Sequence, residues 1–164
     1  MVPAFDISPA RSTDDFAAVA GLFRAYAASL DVDLAYQDFA GELASLPGQY
    51  APPRGSLLLA RGMDGSAIGC VALRPIGHES RCEMKRLYVS PAARGLGLGR
   101  ALVEAIIREA RLIGYCEIRL DSLPGMTAAT ALYGACGFVE VAPYYDTPVE
   151  GTRFFARPLV NGGH

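Results

Sequence analysis

Seven consecutive residues carry the clearest chemistry in this chain: Arg94, Gly95, Leu96, Gly97, Leu98, Gly99 and Arg100. The three glycines expose backbone N–H groups. The apolar helical pattern that begins at Gly99 adds the partial positive charge of a helix N-terminus. Arg94 and Arg100 flank the loop with full charges. Such a loop suits an anion, and phosphate above all. Spacing narrows the ligand. A Gly-x-Gly-x-x-Gly fingerprint read from Gly95 needs glycine where Arg100 stands, and read from Gly97 it needs glycine where Leu102 stands. No Gly-Lys-Ser/Thr follows, so the P-loop pattern fails as well. A tight turn before a helix needs only one glycine; three, with two arginines, point to a ligand.

The pattern that does fit is Arg-x-x-Gly-x-Gly at Arg94, Gly97 and Gly99. It follows Leu87-Tyr88-Val89 directly and is followed in turn by Ala131-Leu132-Tyr133 and Gly137-Phe138. With these residues the stretch from about Glu83 to Tyr145 resembles the GNAT superfamily of acyl-CoA-dependent N-acyltransferases. The resemblance implies acetyl-CoA as co-substrate and no metal. It places the pyrophosphate on the N–H groups from Gly95 to Arg100, and the peptide-like pantetheine arm on the backbone of Leu87, Tyr88 and Val89.

The same resemblance makes Tyr133 the general acid for the departing sulfur. A phenol titrates near pH 10 and is protonated at neutral pH. The other role open to Tyr133 is to pack beneath a sheet. Glu83 stands about where some family members carry a glutamate base, which can act through a water. Otherwise it pairs with Lys85 or Arg86. Plain alternation puts Glu83 on the face of Leu87 and Val89, unless a bulge intervenes. Family acceptor sites form between the first two helices and the last hairpin. Here that implies Tyr26, Asp31, Asp33 and Tyr36 in front and Tyr144 and Tyr145 behind. Aromatics with acids suit an amine cation. One position departs from the family: Met126 replaces the asparagine that often contacts the cofactor arm.

Transfer of an acetyl group to a primary amine of a small molecule or a peptide, by direct attack in a ternary complex, is the activity implied. A non-catalytic acyl-CoA-binding module is the rival; it would keep the loop and could dispense with Tyr133. A ping-pong route through Cys136 lacks a histidine to activate the thiol.

These residues need elements to hold them. Ala4 to Ile7 reads as a strand. Ser12 to Asp15 reads as a cap and acidic first turn, followed by a helix with Phe16, Val19, Phe23, Tyr26 and Leu30 on one face. A shorter helix carries Phe39, Leu43 and Leu46 and stops at Pro47-Gly48. Ser56 to Arg61, Ala67 to Leu73 and the strand before the glycine loop form an antiparallel meander. Its turns fall at Asp64-Gly65 and from Pro75 to Arg81. A helix to Ile113, a strand from Glu117 to Asp121, and a helix from about Gly125 to Cys136 follow. The last strands run from Phe138 to Val141 and from Thr152 to Ala156. A strand–helix–strand unit normally pairs its strands in parallel. The expected fold is therefore α/β: one domain over residues 1–164, with helices on both faces of a mixed, mostly antiparallel sheet. The resemblance adds that a central parallel strand pair splays to hold acyl-CoA.

Composition sets outer bounds. With 164 residues, 51% hydrophobic and 20% charged, the chain can bury a real core. A net charge of −2 gives nucleic acid little to bind. No apolar run reaches membrane-spanning length, and no signal-peptide pattern opens the chain. Cys70, Cys82, Cys116 and Cys136 form no CxxC pair, which fits buried thiols in a reducing cytoplasm. His78 and His164, the two histidines, form no metal spacing. Family habit allows a homodimer.

Overall fold

The computed structural model describes residues 4–159. His164 and the side chain of His78 lie outside what it describes. Strand β1 is Phe5–Pro9 and helix α1 is Thr13–Ala28. Ser12 caps α1 by accepting from the Asp15 N–H, and Asp15 reciprocates to the Ser12 backbone, so two otherwise orphaned donors are satisfied. A single turn at Leu34–Gln37 leads into α2, Phe39–Ala44.

Strands β2 (Ser56–Gly62), β3 (Ala67–Ile76) and β4 (His78–Val89) form the expected antiparallel meander. The first turn falls at Asp64-Gly65, where Gly65 takes φ +86°. The second is tighter than expected. The strands run on to Ile76 and from His78, and Gly77 alone turns the chain at φ +44°. Glycine adopts this left-handed backbone without a Cβ penalty. Helix α3 is Leu98–Ile113, β5 is Glu117–Ser122, α4 is Thr127–Ala135, β6 is Val139–Val141 and β7 is Arg153–Pro158.

The strands make one sheet in the order β1-β2-β3-β4-β5-β7-β6. Only β4 and β5 are parallel; the other neighbours are antiparallel. Two cores cover its two faces. Leu98, Leu102, Val103, Ile106 and Ala110 of α3, with Tyr133 of α4, pack on Val71, Leu73, Met84, Ile118 and Leu120. On the other face Val19, Leu22 and Phe23 of α1 pack with Tyr50 on Leu57, Leu59, Cys70 and Ala72. Each large apolar side chain so buried contributes about 1.5–3 kcal/mol before conformational entropy is subtracted.

Strand β4 is bulged. Cys70 faces Tyr88 and Ala72 faces Lys85, so β4 holds one more residue than β3 over this interval. Arg86 takes φ +62° there. The bulge resets the alternation: Leu87 and Val89 face α3, whereas Tyr88 faces α1. Glu83 is therefore on the face opposite to Leu87 and Val89, where the Arg74 side chain meets it.

Candidate active site

Strands β4 and β5 pair only at Arg81–Glu117, Cys82–Ile118 and Glu83–Arg119. Beyond Glu83 they part. The side of β4 toward β5 then has no ladder partner from Met84 to Val89, which leaves an open strand edge for a peptide-like arm. A cavity of 470 Å³ occupies the split. Leu87, Tyr88, Val89, Arg94 and Gly99 line one side of it, and Asp121, Leu123, Met126, Leu132 and Tyr133 the other.

The glycine loop forms as its composition requires. Gly95 and Gly97 take φ +89° and +79°, which an L side chain resists. Gly97 caps α3, and no side chain closes that end. The first return bond of the helix is Ala101 N–H to Gly97 C=O, so the N–H groups of Leu98, Gly99 and Arg100 stay free of helical acceptors. A Cβ on Gly99 would make ordinary van der Waals contact with Leu132 and Val89 at the cavity wall. Arg94 lines the cavity, whereas the Arg100 guanidinium turns along α3 to Glu104 at 3.3 Å. Leu96 is exposed and Leu98 is buried under α3.

Tyr133 is 6% exposed, with its ring edge on Phe138 and its face tilted to Phe155. Burial raises its pKa well above the ordinary phenol value, and Tyr26 and Asp121 push the same way. Tyr133 lines the cavity wall. Tyr26 shares this cavity, and burial pushes its phenol up to about 12.

A second cavity, of 560 Å³, lies on the α1–α2 face of the sheet. Glu83 forms its floor. Arg74 Nε donates to Glu83 Oε1 at 2.7 Å, and the Tyr144 hydroxyl donates to Oε2 at 2.5 Å. Glu83 thus pairs with neither Lys85 nor Arg86, the partners of its alternative structural role. Arg86 instead gives two bonds, at 2.9 and 2.8 Å, to Glu42 of α2 and lies over the Phe39 ring. Lys85 turns to Gln37 and Asp121. Lys85 and Arg86 share the face of Glu83, but each is drawn to a partner on another element.

Tyr36, Tyr144 and Tyr145 line this second cavity. Asp31 and Asp33 line neither cavity: Asp31 is exposed, and Asp33 caps the turn at Leu34–Gln37 by accepting from the Ala35 N–H. From the sequence Asp121 is only part of a strand, yet it stands where β4 and β5 separate and accepts from the Tyr145 hydroxyl. Its signal in the sequence is an acid within an alternating strand, whose Ile118, Leu120 and Ser122 are buried on the other face. Gln37, Lys85 and Arg86 border both cavities, so the two meet at the strand split.

Of the four cysteines, all free, Cys70, Cys82 and Cys136 are buried and Cys116 is exposed. Burial raises the thiol pKa of Cys136, and its side chain lines neither cavity. Among the described residues no cluster of metal-binding side chains occurs, and no helix is long and apolar enough to cross a membrane.

A split parallel pair, an uncapped glycine-led helix and a buried phenol between them define the acyl-CoA-dependent acetyltransferase class. Comparison with known proteins agrees. Residues 21–138 match the Acetyltransferase (GNAT) family. An uncharacterized N-acetyltransferase of Schizosaccharomyces pombe is 41% identical over 133 residues, covering 81% of this chain and 82% of that protein. An acetyltransferase structure from Streptococcus agalactiae superposes with a TM-score of 0.79 at 22% identity, covering 96% of this chain and all of the other. A Salmonella typhimurium structure solved with its cofactor acetyl-CoA gives a TM-score of 0.70 at 21% identity, covering 98% and 97%. The chain belongs to the GNAT acetyltransferase family.

Proposed function

We propose that the protein moves the acetyl group of acetyl-CoA to a primary amine, of a small molecule or a peptide, within a ternary complex. The observation that carries this reading is the strand split itself, with free N–H groups at one end and the phenol of Tyr133 on its wall. The residues present fit acetyl-CoA: the loop from Arg94 to Arg100 would take its pyrophosphate, and the open edge at Leu87, Tyr88 and Val89 its pantetheine arm. Met126, at the start of α4, lines the cavity in place of the family asparagine and offers packing instead of an amide. Bound acetyl-CoA supplies an activated thioester carbonyl.

The acceptor amine enters through the second cavity, between Tyr36, Tyr144 and Tyr145. Glu83, or a water it holds, takes the amine proton. A backbone N–H of the open β4 edge meets the oxygen that becomes negative as nitrogen bonds to the carbonyl carbon. Tyr133 gives its proton to the departing sulfur as the C–S bond breaks. Direct attack needs no acyl-enzyme, and the burial of Cys136 away from both cavities supports that route.

The test is calorimetric binding of acetyl-CoA, followed by thiol release across a panel of amines. Binding with turnover is expected. Binding without turnover on any amine or peptide would favour a sensing module. No binding would overturn the reading.

A further inference from the structure

Three cations line the acceptor cavity, Lys85 and Arg86 buried and Arg74 partly exposed, and they are satisfied unequally. Arg86 gives two bonds to Glu42. Arg74 bonds Glu83 and Gln49. Lys85, 9% exposed, has three donors and reaches one oxygen within hydrogen-bond length, Gln37 Oε1 at 3.3 Å. Asp121 stands 4.0 Å from its Nζ, too far for a hydrogen bond, and holds Tyr145 with its other oxygen. A buried ammonium with unfilled donors is costly unless something else accepts from it. Lys85 also borders both cavities, at the point where acceptor nitrogen and thioester carbon must meet.

We propose that the acceptor is an α-amino acid, or another amine with a carboxylate close to the nitrogen. Its carboxylate binds Lys85, and its nitrogen lies toward Asp121. This names the acceptor of the reaction proposed above and rests on that reading. Lys85 and Asp121, an ion pair at 4.0 Å with no direct hydrogen bond, set opposite charges side by side, which is complementary to a zwitterion. A carboxylate anchored at Lys85 holds the neighbouring nitrogen within a bond or two of the reaction point. Polycationic acceptors fit worse. The two interior acids that line this cavity, Glu42 and Glu83, are already paired with Arg86 and Arg74. The remaining acids of this cavity, Asp38 and Asp146, are exposed at its rim.

The test is a matched panel: amino acids, their carboxamides and the corresponding decarboxylated amines, each assayed for thiol release with acetyl-CoA. For the wild-type protein, kcat/KM on the acid is expected to exceed that on the amide by roughly 10- to 100-fold, the worth of one charged hydrogen bond. Lys85→Gln should collapse that ratio toward one, chiefly through KM for the acid, and Lys85→Arg should keep part of it. Equal or better wild-type turnover of the amides overturns the proposal without any variant. So does a Lys85→Gln protein that loses kcat on every acceptor while keeping the ratio, because Lys85 would then serve the thioester oxygen. Failure to bind acetyl-CoA at all would remove the transferase reading and this inference with it.

Discussion

The cavity proposed for the donor is walled mostly by two short stretches of chain, Met84 to Gly99 and Asp121 to Tyr133. The one proposed for the acceptor is assembled from four: Tyr36 to Gln49, Arg74 to Ile76, Glu83 to Arg86 and Tyr144 to Pro148. The first works largely through backbone, namely an open strand edge and the unpaired N–H groups of a helix start. The second works through side chains held by ion pairs between distant segments. The difference teaches where each half is vulnerable. Backbone sites fail when φ/ψ or strand geometry is disturbed, and side-chain sites fail when one partner of a buried pair is removed.

The halves are nevertheless joined at the β4 bulge. Arg86 occupies a left-handed backbone conformation that a bulky residue adopts only under constraint. Its bidentate bond to Glu42 and its stacking on Phe39 supply that constraint from the acceptor side. Arg86 so ties the short helix α2 to the bulge.

The largest effect should come from the donor cavity. Tyr133→Phe should lower kcat by about 10²–10⁴-fold with acetyl-CoA affinity retained, read by steady-state kinetics and calorimetry. The same residue makes a pH prediction. Its pKa is raised, so the proton is held above the ordinary phenol value of 10.0, and kcat should show no fall from Tyr133 as pH rises to that point. A descending limb centred below it would break the assignment.

Next comes the joint between the halves. Glu42→Ala leaves the buried Arg86 without its carboxylate and should cost about 3–5 kcal/mol of unfolding free energy, measured in urea. Burial alone would raise the Glu42 pKa, but Arg86 overrides that and holds it below its ordinary 4.5. A depressed pKa contributes stability that is present above the unfolded value and lost as pH falls through the folded one. The urea midpoint should therefore drop below about pH 4.5, and the Glu42→Ala protein should show less of that drop.

Gly97→Ala is a smaller perturbation. Open space surrounds the position, so the cost is the left-handed backbone alone, about 1–2 kcal/mol. It should appear as weaker acetyl-CoA binding with little change in the KM for the amine. Equal damage to both would sharpen the link through the bulge. The smallest effect belongs to an exposed pair outside both cavities: Arg153→Ala, which removes the bond to Glu140, should leave melting and kinetics unchanged.

Much of the donor cavity was legible in the sequence because its parts are local. Glycine spacing, the flanking arginines and the run from Ala131 to Tyr133 each report on neighbours in the chain. Helix α3 followed from a periodicity that buries Leu102, Val103, Ile106 and Ala110. The acceptor cavity was half legible. Tyr36, Tyr144 and Tyr145 lie on it, whereas Asp31 and Asp33 do not, because a loop aspartate that caps its own turn looks the same in sequence as one that faces a ligand.

The sequence by itself determined the order of elements, the glycine loop before α3 and the presence of a tyrosine after it. Those rest on local backbone preference and hydrophobic period, which act over a few residues. Only the tertiary structure decided which face Glu83 takes, that Arg74 and Tyr144 hold it, that Arg86 answers to Glu42, and that Lys85 and Asp121 confront each other across the strand split. The physical reason is the bulge. One added residue in β4 reverses the alternation of every side chain beyond it, and long-range ion pairs hold it in place.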